Sequence, residues 1–333
     1  MSQQFRIKRT YATVPVQAGG FAVVDLPRGY DYESIQIRVV GTVQVTTAFT
    51  AVRAEAPTQV IPRVEIVADG RNTLFSAPFW FATLGKYDRA NMLETGARVV
   101  TPPSNFTVAT YNIEAIGQID FMTPDGERPK DSNFRTSGLQ LFQARFTFGN
   151  PADLFVGAGV AVFPTGLLVE ISTVEMVELP AADGTVTSPT ALKKVSYQEI
   201  AVPTTNANQE VRLPAGNLIK SVVVRAEGNV TAGEPSATVL NALQVFSGVD
   251  VRLRTSAGAL RGMNNNDYGQ LTAGYYVADL ARNGSTRARL SELWDVTRQA
   301  EPKISMDIVG GANVKAQVVT TEYLALSAPA SAA

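Results

Sequence analysis

Leu26–Val43 reads LPRGYDYESIQIRVVGTV, and Leu213–Val230 reads LPAGNLIKSVVVRAEGNV; the two align without a gap at an offset of 187. Seven of the 18 positions are identical: Leu26/Leu213, Pro27/Pro214, Gly29/Gly216, Ser34/Ser221, Arg38/Arg225, Gly41/Gly228 and Val43/Val230. Each copy reads as a turn followed by a strand. Leu-Pro-x-Gly places Pro where φ is fixed near −65° and Gly where a positive φ is needed. Ile35, Ile37 and Val39 then alternate with Gln36 and Arg38, the period of a half-buried strand. Solenoid repeats have periods of about 20–50 residues, so a repeat at this distance means two copies of a domain.

The similarity continues downstream. Val64-Glu65-Ile66 matches Val249-Asp250-Val251 at offset 185, and Asp125-Gly126 matches Asn283-Gly284 at 158. Arg145–Phe148 faces Lys303–Met306 at the same 158, and Thr173/Thr320, Glu175/Glu322 and Leu179/Leu326 are identical at 147. The falling offset assigns the insertions to the first copy, 27 residues between Glu65 and Asp125 and 11 between Phe148 and Thr173. The expected organisation is a first domain over residues 1–179, a linker rich in Pro, Ala, Ser and Thr over 180–192, a second domain over 193–326, and a small-residue tail over 327–333. Each domain is long enough to bury a core without staples.

Composition narrows the chemistry. The net charge is −1, which gives no global basic field for nucleic acid. Cys and His are both absent, which excludes a disulfide framework, Cys–His and Ser–His–Asp nucleophile systems and the usual zinc sites. MSQQFRIKRTY has no apolar core after its charges and does not read as a secretory signal. The longest apolar run, Leu154–Val169, is interrupted by Pro164 and falls short of the roughly 20 residues of a membrane span, so it reads as a buried hairpin or loop. No phosphate-binding glycine loop occurs; Asp279, Asp295 and Asp307 are spread across strands and loops and not set as a pair, and Asp120 with Asp125 reads as turn formers. No catalytic residue, metal ligand or cofactor is therefore expected.

Two stretches are candidate contact sites. Arg6, Lys8 and Arg9 interleave with Phe5, Ile7 and Tyr11, which reads either as a solvated edge strand or as a basic arm touching phosphate. Ala77–Thr95 is a helix candidate carrying Phe79, Trp80, Phe81 and Tyr87. That cluster reads either as a satellite core under a long loop or as an inter-subunit contact. Val14–Leu26, broken by Gly19-Gly20, reads as a hairpin, and a second short helix is expected over Asn264–Leu271.

Short strands with Gly/Pro turns predict an all-β chain of sandwiches or barrels. Two alike sandwiches with long connections predict two tandem eight-stranded jelly-roll β-sandwiches, with short helices in loops. The stretches Tyr275–Gly284 (YYVADLARNG), Leu290–Leu293 (LSEL) and Lys303–Ile308 (KISMDI) resemble the late-strand region of the major coat proteins of tailless icosahedral bacteriophages with an internal membrane. Those are corticovirus-like members of the double jelly-roll lineage that also holds the tectiviruses and adenoviruses. The first copy echoes them with Ile119-Asp120-Phe121, Asp125-Gly126 and Ala144–Phe148, and the pattern covers about residues 3–326.

The resemblance implies a non-enzymatic major capsid protein located in the virion and assembled in the host cytoplasm. Its partners would be itself, as a homotrimer of pseudo-hexagonal outline within an icosahedral lattice, then minor capsid or vertex proteins and a lipid membrane at the inner face, with no sequence-specific nucleic acid. In that setting the larger insertion would be a tower or a trimer clasp, and the basic stretch would lie at the inner face. Two alternatives stand beside it: a carbohydrate-binding or receptor-binding β-sandwich of the spike or lectin kind, which would present exposed aromatics on one loop cluster, and a glycan-cleaving enzyme on a β scaffold, which would need a cleft with paired carboxylates.

Overall fold

The computed structural model describes residues 4–53, 55–84, 98–100, 107–121, 133–178, 191–228, 233–268, 271–281, 290–299 and 301–325. The linker up to residue 190, Tyr87, the two Asx-Gly turns at Asp125 and Asn283, and the tail at 327–333 lie outside the described residues. The chain divides into two compact units, the second spanning Lys193–Ala325.

The first unit is built on eight strands: β1 Gln4–Pro15, β2 Phe21–Asp25, β3 Asp31–Thr47, β4 Arg63–Ala68, β5 Asn72–Ala77, β6 Ala109–Asp120, β7 Phe142–Thr147 and β8 Leu168–Glu178. They form two antiparallel sheets, in the orders β1-β8-β3-β6 and β5-β4-β7-β2. The second unit repeats them with β9 Ala191–Ala201, β10 Asn206–Arg212, β11 Leu218–Glu227, β12 Leu240–Ser247, β13 Asp250–Ser256, β14 Tyr275–Asp279, β15 Pro302–Ile308 and β16 Lys315–Ala325. Its sheets run β9-β16-β11-β14 and β10-β15-β12-β13. Adding eight to each strand number of the first unit yields the second without exception. Successive strands mostly change sheet, which is the jelly-roll winding. The Val14–Leu26 stretch is consequently not a hairpin: β1 pairs with β8 and β2 with β7, in different sheets.

The period-2 reading of the repeat holds residue by residue. Ile35, Ile37 and Val39 are fully buried on β3, and Val222, Val224 and Ala226 are their buried counterparts on β11. Opposite them lie Phe142, Ala144 and Phe146 on β7, and Pro302, Ile304, Met306 and Ile308 on β15. Each such side chain removed from water is worth about 1.5–3 kcal/mol, which fixes which face of the strand turns inward. In the first unit Tyr32 meets Phe142 edge-on at 5.0 Å, joining the two sheets; in the second, β11, β12, β14, β15 and β16 all contribute to one core cluster.

The turn ahead of each β3-type strand needs glycine: φ is +103° at Gly29 and +87° at Gly216. The backbone bonds around it are duplicated too. Leu26 N–H donates to the Phe142 carbonyl at 2.7 Å, and Leu213 N–H to the Pro302 carbonyl at 2.8 Å. Phe121 N–H donates to Glu33 O, and Leu280 N–H to Lys220 O. Glu33 and Lys220 are each the extra residue of a bulge, because Glu175 pairs with Tyr32 past Glu33 and Glu322 pairs with Ile219 past Lys220.

These equivalences correct two parts of the sequence alignment, the first being β7 against β15, where Phe142 and Pro302 set the offset at 160 in place of 158. Phe146 and Met306 are equivalent, and they pair with Val64 and Leu243. The counterpart of β4 is therefore β12, and Val249-Asp250-Val251 belongs to the turn and start of the next strand, β13. The offset falls from 187 at Ser34/Ser221 to 179 at Val64/Leu243, 159 at Asp120/Asp279 and 147 at Thr173/Thr320. The extra residues of the first unit thus fall in three connections, β3–β4, β5–β6 and β7–β8, which a jelly roll places at the same end.

Among the described residues, two α-helices sit in the connections. α1 covers Phe79–Thr83, and α2 covers Ala257–Tyr268. The second starts seven residues earlier than expected, because the Ser256 hydroxyl accepts the Ala259 N–H at 3.2 Å and opens the helix. From α2, the Asn264 side chain lies along the edge strand β14. Its amide donates to Val277 O and accepts Val277 N–H, both at 2.8 Å.

Candidate functional site

Arg6, Lys8 and Arg9 stand on β1, an ordered edge strand paired with β8 from Gln4↔Glu178 to Pro15↔Leu168, so the arm reading gives way to the strand reading. Two of the three cations are engaged inside the unit. Arg6 is paired with Glu33, and Arg9 places its guanidinium 3.0 Å from Glu175, with Tyr11 and Tyr30 rings at 6.0 and 5.9 Å. Lys8 is exposed.

The aromatic group separates into parts. Phe79 and Trp80 are buried inside the first unit, which corrects their reading as an inter-subunit contact, and Phe81 is half-buried beside them. Phe79 seats against Gly117 on β6 so closely that a Cβ there would stand 2.8 Å from its ring. These residues are a satellite core, with Phe81 edge-on to Trp80 at 5.9 Å.

Sequence reasoning missed the folded cap at this end of the first unit. The β3–β4 and β7–β8 connections knit together through Thr50 N–H to Val156 O at 2.8 Å, Arg53 N–H to Leu154 O at 3.0 Å and Gly149 N–H to Val60 O at 3.0 Å. Phe49 stacks on Phe155 at 4.5 Å, and α1 joins through Phe79 N–H to Ile61 O. The signal available in the sequence was the glycine pair Gly157 and Gly159. Gly159 lies so near the Phe49 ring that no side chain fits. The cap leaves Val160 and Val162 exposed on a short strand beside the end of β3.

A buried acid recurs at one position in both units. Glu175 and Glu322 are each 0% exposed, two residues after a buried threonine, Thr173 or Thr320. Glu175 is well supplied: Arg9 donates to both of its oxygens at 3.0 and 3.2 Å, and Thr173 donates at 2.7 Å. Glu322 is poorly supplied. Asn217 donates to Oε2 at 2.5 Å, while Oε1 accepts no hydrogen bond and sees only the Lys194 ammonium at 3.8 Å. Burial pushes the Glu322 carboxyl above the usual carboxylate range, against the pull of Asn217 and Lys194. The repeat's arginines are likewise bracing groups. Arg38 bridges Glu114 at 2.7 Å and Glu170 at 2.9 Å, and buried Arg225 joins Glu227 and the Tyr275 hydroxyl.

No catalytic constellation assembles among the described residues, and no group of three or more acidic, His or Cys side chains is placed to hold a metal ion. The scattered aspartates do local work: Asp295 accepts Thr297 N–H at 2.9 Å and its hydroxyl at 2.6 Å, and Asp279 accepts Tyr268 O–H and Ala281 N–H. One open cavity of about 490 Å³ lies at the opposite end of the first unit, lined by Asp25–Gly29, Ser137, Leu139, Leu141 and Phe142. No helix of the described residues is long and apolar enough to cross a membrane.

Strand for strand, the chain is a double jelly roll. Comparison with solved structures agrees over nearly its whole length. The major capsid protein of Sulfolobus turreted icosahedral virus superposes with a TM-score of 0.73 at 16% identity, covering 96% of this chain and 97% of that one. The PBCV-1 virus capsid protein gives 0.66 at 13% identity over 97% and 94%. The major capsid protein P2 from bacteriophage PM2 gives 0.60 at 12% identity over 98% and 99%. No protein-family model matches the chain, and no curated protein matches it by sequence.

Proposed function

We propose that this chain is the major capsid protein of an icosahedral virus, a structural protein without catalytic activity. The observation that carries the reading is the complete duplication of an eight-stranded jelly roll in one chain, an architecture it shares end to end with capsid proteins of three different viruses. Two alike units per chain suit a closed ring of three chains with six similar positions, because similar units present similar edges to their neighbours. Such trimers tile the shell, and the cap of the first unit, where the copies differ most, is the tower or clasp. A bilayer beneath the shell is the finer part of the proposal. Lys8 is its candidate contact, since Arg6 and Arg9 are held in ion pairs.

The carbohydrate-binding alternative loses its main support, because both tryptophans are buried: Trp80 in the satellite core and Trp294 in the core of the second unit. The native mass of the purified protein, with negative-stain images of the same peak, tests the reading. A trimer with a six-cornered outline is expected. A monomer at all concentrations, with no hexagonal particles, would sink it.

A further inference from the structure

Lys194, Asn217 and Glu322 meet within the second unit from three separate stretches of chain: β9, the turn that enters β11, and β16. The Glu322 carboxyl touches both of the others. The Lys194 ammonium is 3.8 Å from Oε1, and the Asn217 carboxamide donates to Oε2 at 2.5 Å. Oε1 is buried and accepts no hydrogen bond. Glu175 gives the contrast. It is buried at the matching place in the first unit, but its partners are the Arg9 guanidinium and hydroxyl groups. A guanidinium keeps its protons and is no nucleophile, and a hydroxyl offers no carbonyl carbon to attack. In the second unit the two oxygens of one acid hold an amine and a carboxamide, the two halves of an acyl transfer.

We propose that Lys194 and Asn217 join in an isopeptide bond, with Glu322 moving the protons. The ammonium passes one proton to the Glu322 carboxylate, and the free amine attacks Cγ of Asn217. Glu322 then delivers its proton to Nδ2 while taking a second from the attacking nitrogen. The Cγ–Nδ2 bond breaks and ammonia leaves. One amide nitrogen replaces another, and no oxidant or reductant takes part. The acid ends protonated, the form that its burial favours, and the new N–H supplies a donor beside the oxygen that lacked one. Lys194 is half-buried, so its side chain must leave water and turn from the carboxyl to the carboxamide before it reacts. The step is therefore slow, and the freshly purified chain is the unlinked form, in which Glu322 is a poorly supplied acid.

The folded, full-length protein is kept at neutral pH for several days while its intact mass is followed. The mass is expected to fall by that of one ammonia. Trypsin should then release a fragment in which the peptide carrying Lys194 is joined to the one carrying Asn217. The thermal midpoint should rise as the linked form accumulates. Lys194→Arg and Asn217→Ala should keep their full mass, and Glu322→Gln should link about 100-fold more slowly or not at all. The mass of the parent protein decides, so the test stands even where a variant fails to fold. A parent mass that never changes would overturn the proposal. So would a loss of ammonia without the joined fragment, which marks a succinimide at some other asparagine. Linking at the parental rate in Glu322→Gln would overturn the part given to the acid. None of these outcomes bears on the capsid reading.

Discussion

Arg9 and Glu175 meet at 3.0 Å between neighbouring strands, the guanidinium at the open flank of the first unit and the carboxylate fully buried beneath it. Removing the cation would leave a buried charge with the hydroxyls of Thr173 and Tyr32 as its side-chain partners. Arg9→Ala is expected to destabilise the first unit by about 2 kcal/mol, less than the loss from a fully buried pair because the arginine is partly solvated. Arg9→Lys keeps the charge but loses the planar guanidinium whose Nη2 reaches both carboxylate oxygens, and should fall between. Urea unfolding of the three proteins checks this, and equal midpoints would refute it.

The equivalent acid of the second unit predicts the opposite sign. Glu322 has one good donor, one oxygen without a hydrogen bond and a carboxyl shifted upward by burial. A carboxyl that is harder to ionise in the folded state contributes stability below its unfolded pKa and loses it as the pH rises through the folded value. Glu322→Gln should therefore stabilise the protein by about 1 kcal/mol at pH 7 and by nothing measurable near pH 4. Thermal unfolding at both pH values decides it, and a destabilised variant at pH 7 would show that the Lys194 contact outweighs burial.

The satellite core depends on one missing methyl group. A Cβ at Gly117 would stand 2.8 Å from the Phe79 ring and 3.0 Å from the backbone of Ala82, and the backbone cannot yield as a side-chain tip can. Gly117→Ala is expected to cost about 1–3 kcal/mol and to push α1 off β6. Because Trp80 sits on α1, its fluorescence should shift to the red; an unchanged spectrum with unchanged stability would mean that the packing there is slack.

The fold was legible where the physics is local and periodic. The alternation from Ile35 to Val39 named the buried face, and Leu-Pro-x-Gly named a turn that needs a positive φ. The alignment slipped where two neighbouring strands share a texture: Val249-Asp250-Val251 resembles Val64-Glu65-Ile66 in composition, and only the pairing of Val64 with Phe146 and Leu243 with Met306 separates β4 from β13. The cap of the first unit was illegible because three connections distant in sequence make it, held largely by backbone bonds that any residue type can form. The candidate site residues divided for a related reason. Charge and aromaticity name a residue able to make a contact, but whether Phe79 faces a neighbour or its own core depends on Gly117, 38 positions away.

Asn264 shows a side chain standing in for a strand. Its amide satisfies both backbone groups of Val277 on the edge strand β14 and so occupies a site at which another strand could pair. Asn264→Ala strips a buried N–H and a buried C=O of their partners and should cost about 2 kcal/mol. Asn264→Asp should be at least as damaging at pH 7, where its carboxylate accepts the Val277 N–H but turns a second acceptor toward the Val277 carbonyl. Protonation at low pH restores a donor, so the deficit of the aspartate variant should shrink on acidification while that of the alanine variant does not. Unfolding curves at two pH values, with hydrogen exchange at the Val277 amide, test both halves. An alanine variant within about 0.5 kcal/mol of the parent would mean that water replaces the amide at no cost and that the edge needs no guard.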